Sequence, residues 1–147
     1  MQLTSVFINN STIPSKYTCD GEDVNPPLNI SDVPPEAKSL VLIVDDPDAP
    51  KGTWTHWVVV NIDPKTDAFQ EDSVPPRSLQ TITSFGKSGW GGPCPPSRMH
   101  HYHFKLYALD IEKLDVSGTA EVKQIIEAMA KHIISATQLI GLYQRGV

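Results

Sequence analysis

The feature that most constrains this chain is a change of character within one stretch, Gly86 to Asp110. The first half, Gly-Lys-Ser-Gly-Trp-Gly-Gly-Pro-Cys-Pro-Pro-Ser-Arg-Met, packs four glycines and three prolines into fourteen residues and excludes a regular helix or strand. The second half alternates. His100, Tyr102, Phe104, Leu106 and Ala108 fall on one face of a strand, and His101, His103, Lys105, Tyr107 and Leu109 on the other. A strand with one apolar face buries that face against a core. His100 and Tyr102 therefore sit on the buried side at the strand's mouth, just past a rigid loop, which is how a pocket is built.

The rest of the chain reads as short strands between proline-rich turns. There are 13 prolines in 147 residues, and they fall in turn contexts, which favours a mainly β architecture over a helical bundle. That length predicts one domain, residues 1–147, burying roughly 70% of the surface of its unfolded form. A net charge of −5 with no basic patch argues against nucleic acid as a partner. The start Met-Gln-Leu-Thr-Ser-Val-Phe-Ile has neither a basic n-region nor a long apolar run, so a cytoplasmic protein without integral membrane association is expected. Cys19 and Cys94 are too few for a disulfide framework and are expected to be reduced in that compartment.

In order, Leu3–Ile8 reads as a strand, and a turn-rich loop follows from Pro14 to Pro27. Ser39–Asp45 is a continuous, β-branched apolar run, the pattern of a central strand covered on both faces. The loop Asp46-Pro47-Asp48-Ala49-Pro50 ends it. From Thr53 to Ile62 alternation puts Trp54, His56, Val58, Val60 and Ile62 on one face. Ser78–Phe85 reads as a weak strand. Thr119 is placed to cap a helix with the stripe Val122, Ile125, Ile126, Met129 and Ile133, and Ala136–Tyr143 reads as a closing strand, with continuation of the helix as the alternative.

Two strands thus carry the same device, an inward histidine beside an aromatic two positions away: Trp54/His56 and His100/Tyr102. Asp46 is the carboxylate suited to orienting such a ring, whereas Asp48 before its own turn is first a turn former. A carboxylate would raise the histidine pKa values and burial would lower them, so the balance rests on burial. The sharpest rival is a metal site built from His56, His100, His101, His103 and Cys94, but the alternation turns His101 and His103 away from His100. No metal and no cofactor are expected. Cys19-Asp20-Gly21-Glu22-Asp23 lacks the spacing and terminal Glu of a calcium loop, and Gly86-Lys87-Ser88 lacks the glycine that a phosphate loop needs at Thr81. No Gly-x-Ser-x-Gly elbow occurs, so a hydrolase would have to use histidine, aspartate and water.

Asp46-Pro47-Asp48-Ala49-Pro50, Trp54-x-His56, Gly92-Pro93-Cys94-Pro95-Pro96 and His100-x-Tyr102-x-Phe104-x-Leu106 together resemble the phosphatidylethanolamine-binding protein family, in particular its bacterial and archaeal Raf kinase inhibitor-like branch. The Cys19–Leu28 loop and Leu139-Ile140-Gly141-x-Tyr143 also fit, so the resemblance spans nearly the whole chain. It implies two antiparallel sheets packed together, a few peripheral helices and a small anion pocket at one end. The ligand-binding set it implies is Asp46, Asp48, Pro50, Trp54, His56, Gly92, Cys94, Pro95, His100 and Tyr102. The implied ligand is a small anion such as phosphate, a phosphate ester or a phosphoethanolamine-like headgroup, bound without catalysis. An enzyme of unknown substrate using the same histidines and aspartate is the alternative. A kinase-like protein partner and a homodimer stay open. The resemblance also puts both cysteines near one end of the fold, where a bridge is geometrically conceivable. The chain departs from the family pattern at His101, where Arg is usual, at Trp90, where Tyr is common, and at Arg98, where Gly is common. Arg98 would bring a bulky cation to the pocket rim.

Overall fold

The computed structural model describes residues 1–146, and Val147, the last residue of the expected domain, lies outside them. The strands are β1 (Gln2–Ser5), β2 (Ser11–Thr12), β3 (Leu28–Ser31), β4 (Ser39–Asp46), β5 (Trp54–Ile62), β6 (Ala68–Phe69), β7 (Leu79–Gln80), β8 (His100–Leu109) and β9 (Ile133–Tyr143). Among the described residues one α-helix, α1 (Val122–Met129), joins them, with a single 3₁₀ turn at Ser15–Tyr17. Two sheets form, one in the order β1-β3-β6 and one in the order β2-β9-β8-β4-β5-β7. Pairing is antiparallel except between β2 and β9, which run parallel.

The apolar run of β4 has the cause expected of it. Leu40, Leu42 and Val44 enter a core shared with the small sheet, with Phe104, Leu106, Trp57 and Phe69 among their neighbours. Val41 and Ile43 enter a second core under α1, with Val58, Val60, Ile125 and Met129. Every residue of β4 is buried, because both its faces are covered and both its edges are paired. Strand β8 alternates as predicted, with His100, Tyr102, Phe104, Leu106 and Ala108 buried.

Strand β5 does not. Val44 pairs with Trp57, but the next residue, Asp45, pairs with Thr55, so His56 is the extra residue of a β-bulge. A second shift lies between the Val59 and Ile62 pairings, where Asn61 has φ 57°. Trp57, Val59 and Ile62 consequently face the inter-sheet core while Val58 and Val60 face the helix. The single face expected for Trp54, His56, Val58, Val60 and Ile62 is therefore split, because each bulge reverses the side on which the alternation continues.

Smaller corrections follow the same logic. Only Leu79–Gln80 of the expected Ser78–Phe85 strand pairs in a sheet, and Thr83 turns the chain by accepting Gly86 N–H on its carbonyl at 3.0 Å. Helix α1 starts from Glu121 rather than Thr119. The Glu121 amide donates to Gln124 Oε1 at 2.8 Å, whereas the Thr119 hydroxyl pairs with Ser117 at 2.9 Å. Ile125 and Met129 are buried on the helix, Ile126 is exposed, and Ile133 belongs to β9, which extends the expected closing strand backwards.

Candidate functional site

Antiparallel pairing brings the end of β4 and the starts of β5 and β8 to the same end of the large sheet. Asp46, Trp54, His56, His100 and Tyr102 meet there, although up to 56 positions separate them in the chain. They line a cavity of about 220 Å³ together with Ala49, Pro50, Phe85, Cys94, Pro95 and Pro96.

Both buried histidines are held by Nδ1. His100 donates to Asp46 Oδ2 at 2.6 Å, and the other carboxylate oxygen of Asp46 accepts the Asp48 amide at 2.8 Å. His56 donates to the Gly91 carbonyl at 2.6 Å, and the Gly91 amide returns a bond to the His56 carbonyl at 3.2 Å. A carbonyl only accepts, so this bond fixes the proton of a neutral His56 on Nδ1 and leaves Nε2 as an acceptor. Among the described residues, the only fully enclosed side-chain polar atom lacking a partner is Thr81 Oγ1. His56 Nε2, His100 Nε2 and the Tyr102 hydroxyl, which make no hydrogen bond among the described residues, are therefore not sealed from solvent, and all three residues line the cavity. Between the histidines stands Tyr102, its ring 5.2 Å from His56 at 80° and 6.4 Å from His100 at 25°.

Burial sets the charge states. Desolvation holds the His56 pKa below its ordinary value, against the opposing pull of the Gly91 carbonyl and the Asp46 charge. Of the two influences weighed from sequence, burial wins at this residue. Burial, then the Asp46 and Asp48 charges, push the Tyr102 hydroxyl far above its usual range, so it stays a protonated donor.

Two expected site residues do not reach the cavity. Asp48 lies one row back, where its Oδ2 accepts both the His101 amide at 2.8 Å and His101 Nδ1 at 2.6 Å. Burial works to raise the Asp48 carboxyl, but the hydrogen bonds from His101 outweigh it and hold the pKa below the usual value. Gly92 is a packing position. Its amide donates to Asp23 Oδ1 at 2.9 Å, and a Cβ there would strike that carboxylate and the Tyr17 carbonyl. Three lining residues were missed from sequence. Ala49 and Pro96 adjoin residues that were found, whereas Phe85 was lost in the expected strand and carries no local signal. Its ring stands edge-on to both Trp54 and His56 at 5.4 Å.

Cys94 lines the cavity as half of a disulfide with Cys19, Cα to Cα 5.5 Å, and this overturns the expectation of reduced thiols. The two cysteines lie 75 residues apart in sequence, so only the packing of their loops brings them together. The bridge also removes Cys94 from the rival metal set, and His101 and His103 face the opposite side of β8. Arg98 is exposed and does not line the cavity; its φ of 61° is one that glycine adopts freely.

Comparison with known proteins agrees with this geometry. The sequence model described as "PBP: Phosphatidylethanolamine-binding protein" matches residues 3–144. The chain is 48% identical to a UPF0098 protein of Methanothermobacter thermautotrophicus over 97% of each chain. It is 44% identical to a UPF0098 protein of Chlamydia trachomatis over 99% of each. Among solved structures, a putative phosphatidylethanolamine-binding protein homolog, CT736 of Chlamydia trachomatis, superposes with TM-score 0.94 at 42% identity, covering 99% of this chain and 97% of that one. E. coli YbcL, described as a new member of the mammalian PEBP family, superposes with TM-score 0.92 at 30% identity, covering 99% and 98%.

Proposed function

The chain belongs to the phosphatidylethanolamine-binding protein family, and on that premise we propose that it binds a small phosphate-bearing anion, without turnover, in the His56–His100 cavity. The observation that carries the reading is that His56, His100 and Tyr102, the two histidines held by Nδ1, line one cavity with Asp46, beside walls made mostly of proline and aromatic side chains. A few placed polar groups in an apolar cleft are the usual make-up of a ligand site. Its volume of about 220 Å³ is below the ~300–1,000 Å³ of drug-sized pockets, which suits a phosphate or a headgroup.

Each group has a distinct role. His100 holds Asp46 with Nδ1–H, which leaves Nε2 to face the anion. Tyr102 donates its hydroxyl. His56, kept neutral by burial, accepts from a donor on the ligand: the P–OH of a phosphate monoanion or an ethanolamine ammonium. Such a donor also relieves the repulsion between Asp46 and a phosphate dianion.

Calorimetric titration with inorganic phosphate and with O-phosphoethanolamine tests this, against His100→Ala. Binding lost in the variant supports the reading, and equal binding in both removes it. Steady release of phosphate from a phosphomonoester would replace binding by catalysis, with the Asp46–His100 pair as general base. Capture of a kinase that survives loss of both histidines would move regulation from the cavity to its rim.

A further inference from the structure

The loop that closes the cavity is held unevenly. Its first part is anchored at every step: Trp90 Nε1 donates to the Tyr17 carbonyl at 3.2 Å, Gly92 N to Asp23 at 2.9 Å, and Cys19 N to the Pro93 carbonyl at 3.1 Å. From Cys94 to Met99 the described residues make no hydrogen bond at all, and Pro95 and Pro96 lack an amide to donate. The first three of them, Cys94, Pro95 and Pro96, line the cavity. Apart from van der Waals packing, only the bond to Cys19 fastens them before β8 begins.

The other half of the bridge stands on a firm post. Thr18 is fully buried, and its hydroxyl donates to the Ser15 carbonyl at 2.9 Å. Asp20 accepts the Tyr143 hydroxyl at 2.6 Å and is paired with Arg145 at 2.9 Å. Access to the two halves differs as well, since Cys94 is exposed and Cys19 half-buried.

We propose that the Cys19–Cys94 bridge is a thiol-exchange site that latches one wall of the cavity, with Cys94 as the half attacked by a low-molecular-weight thiol. The thiolate of such a thiol bonds to Cys94 Sγ. The Cys19–Cys94 bond breaks, and Cys19 Sγ leaves with the electron pair and takes up a proton. A second thiol then displaces Cys94 from the mixed disulfide. Two small thiols are oxidised to their disulfide, and the bridge is reduced to two protein thiols. Either product frees residues 94–99 while the sheets, whose cores do not involve the bridge, stay folded. The effect on ligand affinity rests on the anion reading above; the exchange and the release of the loop do not.

The test uses the full chain as it stands, and its readout is Arg98, an exposed trypsin site inside the freed segment. The protein is equilibrated in glutathione buffers, remaining thiols are alkylated, and peptides are weighed. The expected result is glutathione on Cys94 with the alkyl label on Cys19. Reduction should speed tryptic cleavage after Arg98 tenfold or more and weaken inorganic phosphate binding tenfold or more, with near-ultraviolet dichroism retained. Cys19→Ser combined with Cys94→Ser should be cut at the reduced rate with or without thiol. If that variant does not fold, the reduced natural chain carries the test alone. Glutathione chiefly on Cys19, unchanged cleavage, or global unfolding on reduction would each overturn the latch. Failure of phosphate to bind the oxidised protein would instead remove the anion reading, and adduct position and cleavage would still decide the latch.

Discussion

The ring of Phe85 stands edge-on to His56, centroids 5.4 Å apart and planes at 73°, and so forms part of the wall that keeps water from that imidazole. Phe85 is itself 42% exposed, so it can be removed without opening the core. Phe85→Ala should raise the His56 pKa toward its ordinary value of 6.5, because desolvation is the main cause of its depression. A proton NMR titration of the His56 ring measures this, and an unmoved pKa would assign the desolvation to other walls.

The same depression predicts the pH dependence of stability. In the unfolded chain His56 takes up its proton near pH 6.5, whereas in the folded protein it does so only at lower pH. The unfolded state binds more protons in that window, so the contribution of His56 is complete above pH 6.5 and is lost as pH falls toward its folded pKa. Urea unfolding of the natural chain should weaken over that descent more than unfolding of His56→Gln. Parallel curves for the two proteins would contradict it.

Ligand affinity should run the opposite way. The monoanionic form of phosphate, favoured below about pH 6, supplies the proton that neutral His56 accepts. Inorganic phosphate should bind at pH 6 about tenfold more tightly than at pH 8, a difference of about 1.4 kcal/mol. His56→Ala with His100→Ala should flatten the dependence. Calorimetry in buffers of different ionisation enthalpy reports the proton uptake, and flat affinity without uptake would contradict the proposed roles.

Two adjacent glycines should behave differently. The three atoms nearest a Cβ at Gly91 all belong to the ring of Phe85, a partly exposed side chain, so Gly91→Ala should leave stability within about 1 kcal/mol while displacing Phe85 and altering phosphate affinity. A Cβ at Gly92 meets the Tyr17 backbone carbonyl and the Asp23 carboxylate that binds its own amide. Neither can withdraw freely, so Gly92→Ala should cost about 1–3 kcal/mol. Denaturant midpoints of the two variants measure the contrast, and equal losses would refute it.

His101→Arg should change stability by no more than about 0.5 kcal/mol and leave phosphate affinity unaltered. His101 lies on the solvent side of β8, and an arginine there places a cation within reach of Asp48, itself 39% exposed. A tenfold loss of affinity would mean that the Asp48 row supports the cavity more directly than its position indicates.

What the sequence determined by itself was local. The alternation of β8 assigned His100 and Tyr102 to the buried face and His101 to the outer one, because a regular strand has a fixed period of two. The unbroken apolar run of β4 identified a central strand, since only burial on both faces tolerates it. The tertiary structure decided whatever depended on a partner strand or loop. His56 reaches the cavity on the same side as Trp57, because β5 must slip by a residue to pair with β4, and nothing within Trp54–Ile62 announces that slip. Phe85 becomes a wall because its turn folds over Gly91, and Gly92 leaves the candidate site because Asp23 occupies the space beside it. The direction of the His56 pKa and the bridge from Cys19 to Cys94 belong to the same class. Both depend on how closely loops distant in sequence approach one another, and that distance is set by packing the whole core rather than by any local pattern.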